Sequence, residues 1–274
     1  MYDISLAQWS FHRGLFAGDI EPLDFPAFAR ERFDIGAVEY VNVFINGGKP
    51  DDAFLDTLKR RCDDTGVRSL LIMVDREGAL GDADATQRTK VVENHHKWVD
   101  AALVLGCHSI RVNAASSGTP LEQRDRAADG LGRLTEYAAG HGLNVIVENH
   151  GGLSSNGAWL ASVIRKVNHP YCGTLPDFGN FLIRPDEWYD RYKGVEELMP
   201  FAKAVSAKSH DFDDEGNETH TDYIRMMRIV LDAGYRGFVG IEYEGESLPE
   251  EEGTAATKAL LERVRVELGP EYAE

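Results

Sequence analysis

Eight short apolar runs recur along this chain at nearly even spacing, and that rhythm restricts the fold more than any other feature of the sequence. They are ISLAQW ending at Trp9, GAVEY at Tyr40, RSLLIMV at Val74, HSIRV at Val112, NVIVE at Glu148, GTLPD at Asp177, VSAKSH at His210 and FVGIE at Glu242. Their ends lie 31, 34, 38, 36, 29, 33 and 32 residues apart. A (β/α)8 barrel of about 250 residues spends roughly 31 on each βα unit. Helical patterns fill the gaps. Residues 86–105 place Val91, His95, Trp98, Ala102 and Leu105 on one face and stop at Gly106. Residues 221–232 carry Ile224, Met227, Ile229 and Leu231 ahead of Gly234, and a last helix is expected over about 253–267. No stretch is rich enough in Pro or Ser for a linker. Residues 1–274 therefore read as one α/β domain, a single (β/α)8 barrel.

Composition narrows the partners. With 29 Lys plus Arg against 46 Asp plus Glu, the net charge is −17, which removes the general attraction to phosphate that supports non-specific nucleic-acid binding. No nucleic-acid partner is expected. The apolar runs fall far short of the roughly 18 residues of a membrane span, so no membrane partner is expected either. Cys62, Cys107 and Cys172 are odd in number and show no CxxC spacing, which argues against a disulfide framework or a zinc knuckle and fits a reducing cytoplasm. The opening MYDISLAQW has no basic region of the kind that begins a secretory signal.

Active sites of such barrels form at the C-terminal ends of the strands, and four consecutive strands finish there in a metal-ligand type: Glu148, Asp177, His210 and Glu242. Three carboxylates crowded at one pole repel, and a divalent cation removes that cost. Three oxygens and one nitrogen make a hard ligand set, suited to Mn²⁺ foremost, then Mg²⁺ or Co²⁺, with Zn²⁺ also able to occupy it. Four protein ligands leave two positions of an octahedron for adjacent oxygens of a hydroxy-ketone. A metal there would polarise the carbonyl, acidify the neighbouring C–H and stabilise the enediolate. Glu148 and Glu242 are the natural pair to pass the proton, one as base and one as acid.

Further substrate-binding candidates surround this quartet, each with a plainer reading. Trp9 offers an apolar face to a sugar ring or fills the top of the barrel, and His12 reaches over the pocket mouth or is a loop residue. Asn113 shares a side of the fourth strand with Arg111, so one of the two can donate to a substrate hydroxyl or make ordinary structural bonds. His150 follows Glu148 by two and Lys208 precedes His210 by two, which gives both an inward direction. Glu39 and Glu244 approach the same pole but read as supporting charges.

The segments VENH, PDFGN, KSHDF and GIEYEG, in this order and at this spacing, resemble the xylose-isomerase-like TIM-barrel superfamily of sugar isomerases and epimerases over nearly the whole chain. Similar members are ketose 3-epimerases, hydroxypyruvate isomerases and the inosose dehydratases and isomerases of inositol catabolism. The resemblance implies one bound divalent metal on Glu148, Asp177, His210 and Glu242, proton transfer by Glu148 and Glu242, and a small sugar or keto-polyol as substrate. One departure stands out. The similar 3-epimerases carry a DxxH motif whose His helps bind substrate, and here Asn180 stands three residues after Asp177. Dehydratases and lyases of the superfamily use similar ligands, so elimination from a keto-sugar or keto-inositol is the alternative outcome. Abasic-site endonucleases also look like this superfamily but need more His ligands and a basic DNA face. A non-catalytic sugar-binding module would not need a base. By analogy with other barrels, a homo-oligomer is also open.

Overall fold

Alternating apolar strands and capped helices wind this chain into a ring. The computed structural model describes residues 1–272. Strand β1 (Asp3–Ala7) passes through a 3-10 turn into α1 (His12–Ala17) and α2 (Phe25–Phe33). There follow β2 (Ala37–Val41), α3 (Asp52–Thr65), β3 (Arg68–Met73), α4 (Ala85–Leu105), β4 (Ser109–Val112), α5 (Pro120–Ala139), β5 (Asn144–Glu148), α6 (Gly157–Val167) and β6 (Cys172–Leu175). A small hairpin of β7 (Leu182–Arg184) and β8 (Glu187–Trp188) precedes α7 (Arg191–Leu198), β9 (Val205–Ser209), α8 (Tyr223–Asp232), β10 (Phe238–Tyr243) and α9 (Glu250–Tyr272).

Eight strands pair in parallel in the order β6-β5-β4-β3-β2-β1-β10-β9, with the first strand beside the last. The ends of this curled sheet meet through bridges between Thr174 and Ala202 and between Asp177 and Ser206. There Ser206 N–H donates to the Pro176 carbonyl at 2.9 Å and Phe178 N–H to the Ser206 carbonyl at 3.1 Å. These contacts make the sheet the expected (β/α)8 barrel. Two of the observed strands, β6 and β9, stop short of the ends of their apolar runs. Pro176 has no N–H to continue a ladder, so β6 stops at Leu175 and Asp177 lies just beyond it. His210 likewise lies past the end of β9.

Strands covered by helices on one side and filled by side chains on the other are buried along most of their length, and in β2 every residue of Ala37–Val41 is buried. Helix α4 buries Val91, His95, Trp98, Ala102 and Leu105, the face its periodicity predicts. Its Asp84 cap accepts from the Thr86 and Gln87 N–H groups, and Gly106 ends it at φ 73°. The final helix is longer than expected and buries Leu260, Leu261, Val264 and Leu268. All three cysteines are free and buried. Among the described residues no helix is long and apolar enough to cross a membrane.

Candidate active site

Strand β5 ends on Glu148, the loop after β6 supplies Asp177, and β10 carries Glu242 near its end. The three carboxyl groups converge: one oxygen from each lies within 4.8 Å of the others, and all three residues are buried. Gly240, two residues before Glu242, leaves room for a fourth acid, since a Cβ there would stand 2.5 Å from Glu39 Oε1.

Each acid is held by specific donors. The Asn180 amide donates to Glu148 Oε1 at 2.8 Å, while Arg111 Nε lies 2.8 Å from Glu148 Oε2. The same guanidinium donates to Asp75 Oδ1 at 2.9 Å, and Asn113 donates to that oxygen at 2.8 Å. Asp177 Oδ1 accepts from the Gly179 and Asn180 N–H groups, each at 2.8 Å. Asn149 braces the Asp177 backbone from both sides, accepting from its N–H at 2.8 Å and donating to its carbonyl at 3.0 Å. Ser206 Oγ stands between two acids, 2.8 Å from Asp177 Oδ2 and 2.8 Å from Glu242 Oε2.

Lys208 closes the cluster. Its Nζ donates to Glu244 Oε2 at 3.0 Å and lies 3.5 Å from Glu242 Oε1 and 3.9 Å from Asp177 Oδ2. Burial works against its charge, but the carboxylates around it hold the amine protonated, well above its ordinary range. Burial pushes the carboxyls of Glu148 and Asp177 upward, against the pull of Arg111 on the first and Lys208 on the second. A hydroxyl has one proton, so Ser206 can donate to only one of its two acids.

Three of the four ligands expected from the sequence come together: Glu148, Asp177 and Glu242. His210 is not among the groups that lie within 4.8 Å of one another. It follows the last residue of β9, where strand alternation no longer dictates direction, and it lines an outer cavity of about 500 Å³ with Trp188, Arg191, Asp211 and His220. Its ring meets that of His220 edge to face at 5.8 Å. A smaller cavity of about 190 Å³ reaches Glu242 of the triad and is lined by Trp9, Asp75, Arg111, His150 and Glu244 among others. Glu244 lines both cavities.

The other candidates fall into two groups. Trp9, His150 and Lys208 reach the acid cavity or its cluster, with the Trp9 indole donating to Glu244. His12 instead stacks on Trp9 at 4.7 Å and bonds the Trp9 carbonyl at 2.8 Å, so it steadies the indole. The Asn113 side chain points at Asp75, and that of Asn180 at Glu148, while the Asn180 backbone N–H donates to Asp177. Ser206 and Asp75 were not singled out by the sequence. Ser206 had a usable signal, because it lies two residues before Lys208 on the same strand, while Asp75 lies in the loop after β3 and carries none.

The triad suits a hard divalent ion in its donor type and spacing. On the β9 side, a hydroxyl and an ammonium stand where the sequence suggested an imidazole.

Comparison with known proteins agrees with this architecture. A family model described as a xylose isomerase-like TIM barrel matches residues 31–264. A D-tagatose 3-epimerase-like protein superposes with a TM-score of 0.76 at 16% identity, over 99% of this chain and 100% of the other. The 3-keto-D-glucoside 4-epimerase of E. coli gives 0.75 at 15% identity, over 96% of this chain and 100% of the other. A xylose isomerase-like protein from Mycobacterium smegmatis, solved in complex with magnesium, gives 0.71 at 16% identity, over 98% of both chains. Among curated sequences, the C-glycoside deglycosidase alpha subunit of Arthrobacter globiformis is 36% identical over 69 residues, which is 25% of this chain and 18% of that protein. A match spanning 31–264 on a closed eight-stranded ring means that this chain belongs to the xylose isomerase-like TIM-barrel family.

Proposed function

We propose that this chain is a divalent-metal-dependent isomerase or epimerase that moves a proton beside the carbonyl of a keto-sugar or related polyol ketone. The observation that carries the reading is the convergence of two buried glutamates, Glu148 and Glu242, with Asp177, where Glu242 lines a small cavity. Glu148, Asp177 and Glu242 would hold the ion, Mn²⁺ foremost with Mg²⁺, Co²⁺ or Zn²⁺ as alternatives, and it supplies Lewis-acid polarisation of the carbonyl when bound.

The chain's own groups account for the proton. Glu148, whose carboxyl burial raises toward neutral pH, takes the proton from the carbon next to the carbonyl, and the C–H electron pair moves onto the carbonyl oxygen. Glu242, carrying a proton at the start of the cycle, gives it to the opposite face of that carbon, which inverts it, or to the neighbouring carbon while the hydroxyl proton shifts to the former carbonyl oxygen, which isomerises the sugar. Arg111 and Lys208 place positive charge beside the cavity where the oxyanion forms. Asn180 fixes the Glu148 carboxyl through its 2.8 Å hydrogen bond. Trp9 and His150 line the wall that the sugar would meet.

A second reading is elimination, favoured by the 69-residue similarity to a subunit named for C-glycoside deglycosylation. The same deprotonation by Glu148 would then expel a group on the next carbon. One experiment tests both. The Mn²⁺-loaded protein is incubated in D₂O with keto-sugars, keto-inositols and 3-keto-glycosides, and NMR follows deuterium entering beside the carbonyl. Glu148→Gln is expected to lower that exchange by about 10²–10⁴-fold, the usual weight of a general base. Retained exchange in that variant overturns the role of Glu148, and the product separates epimer, isomer and alkene.

A further inference from the structure

Strand β9 sends Ser206 and Lys208 toward the triad, and both contact the same oxygen of Asp177. The Lys208 side chain is 2% exposed. Its stem fits because position 179 is glycine: a Cβ there would come within 2.8 Å of Lys208 Cγ. The ammonium lies 3.5 Å from Glu242 Oε1 and 3.9 Å from Asp177 Oδ2, while the remaining Glu242 oxygen and the same Asp177 oxygen face the Ser206 hydroxyl. A lysine this deep in the fold is tolerated because carboxylates surround it. Those carboxylates include two of the three that would hold a metal.

We propose that Lys208 is a built-in competitor of the metal: its ammonium and a divalent ion claim the same oxygens of Asp177 and Glu242. The Ser206 hydroxyl stands 2.8 Å from an oxygen of each of these two acids. The inference rests on the reading that the triad holds a metal, and it adds that this chain holds it loosely and exchangeably. Two positive charges sharing the same buried acids repel strongly, since a few ångströms of low-dielectric interior screen them far less than water does. Glu244, at 3.0 Å the nearest acid to the ammonium, is the partner Lys208 keeps when an ion displaces it from the other two. Metal affinity is therefore a property of the Lys208–Glu244 pair as well as of the triad.

The test is direct binding of Mn²⁺ alone to the EDTA-stripped full-length protein, read by electron paramagnetic resonance of free Mn²⁺ and by calorimetry. Lys208→Met is expected to bind Mn²⁺ about tenfold or more tightly than wild type, because the repelling charge is gone while the three acids remain. Ser206→His is expected to tighten binding as well, by offering an imidazole from a position that already touches both Asp177 and Glu242. If Lys208→Met does not fold, Lys208→Gln and Ser206→His carry the same comparison. Equal or weaker Mn²⁺ binding by the Lys208 variants overturns the competition while leaving a metal-dependent site standing. Absence of Mn²⁺ binding in every variant, with deuterium exchange persisting in EDTA, overturns the metal reading itself.

Discussion

Glu39 has one hydroxyl for company: Ser5 donates to Oε1 at 2.6 Å, and Oε2 is buried with no hydrogen-bond partner. Burial pushes its carboxyl from 4.5 to about 7, with the Ser5 bond pulling the other way. The folded chain then holds this proton more tightly than the unfolded chain. The stability it contributes is complete below about pH 4.5 and is lost as pH rises through about 7. Between those limits the change is at most about 3 kcal/mol. Glu39→Gln removes the titration, so its unfolding free energy relative to wild type should move in favour of the variant by up to that amount between pH 4.5 and 8. Urea titrations at both pH values measure it, and a pH-independent difference would rule it out. The acids of the site were legible in the sequence because Glu148, Asp177 and Glu242 each fall at a strand end of the repeating unit. His210 falls at the same spacing. The chain leaves β9 one residue earlier, at Ser209, and only position 206, a serine with no metal signature, reaches the acids with Lys208.

Helix α5 contains two glycines whose surroundings give opposite expectations. A Cβ on Gly130 would stand 1.9 Å from the Leu80 carbonyl oxygen, a backbone atom that cannot swing aside. On Gly132 it would meet nothing nearer than a Val167 methyl at 4.0 Å. Alanine gains about 1 kcal/mol of helix propensity at either site. Gly130→Ala should nonetheless destabilise by about 2–4 kcal/mol, because the loop carrying Leu80 must be displaced. Gly132→Ala should stabilise by about 0.5–1 kcal/mol. Chemical denaturation of the two variants side by side checks the pair, and a stabilised Gly130→Ala would show that the loop yields. The helix itself was open to sequence reading through its period and caps, Thr119 and Glu122 forming a reciprocal capping box at its start. The contact with Leu80 was not, because it joins a helix to a loop 50 residues earlier in the chain, beyond the reach of any local pattern.

In the whole ring the junction of β6 and β9 differs from every other. Strands β9 and β10 pair continuously from Val205 with Val239 to Ser209 with Tyr243, whereas β6 meets β9 through two isolated bridges. The bonds there are few: Lys203 N–H to Thr174 at 3.0 Å, Ser206 N–H to Pro176 at 2.9 Å and Phe178 N–H to Ser206 at 3.1 Å. The Ser206 hydroxyl adds a side-chain tie to Asp177. The candidate site therefore spans the thinnest seam of the barrel, with Asp177 on one bank and Ser206 and Lys208 on the other. Local opening draws on the weakest cooperative unit. Hydrogen exchange should accordingly find the amides of Lys203, Ser206 and Phe178 opening at lower free energy than that of Ile72 in β3, which is paired on both sides. A cation bound by Asp177 and Glu242 would tie β6 to β10 across the strand that carries Lys208, so saturating Mn²⁺ should slow exchange at the seam more than at Ile72. Seam amides that exchange only through global unfolding, with or without Mn²⁺, would show that the two bridges hold as firmly as a continuous ladder.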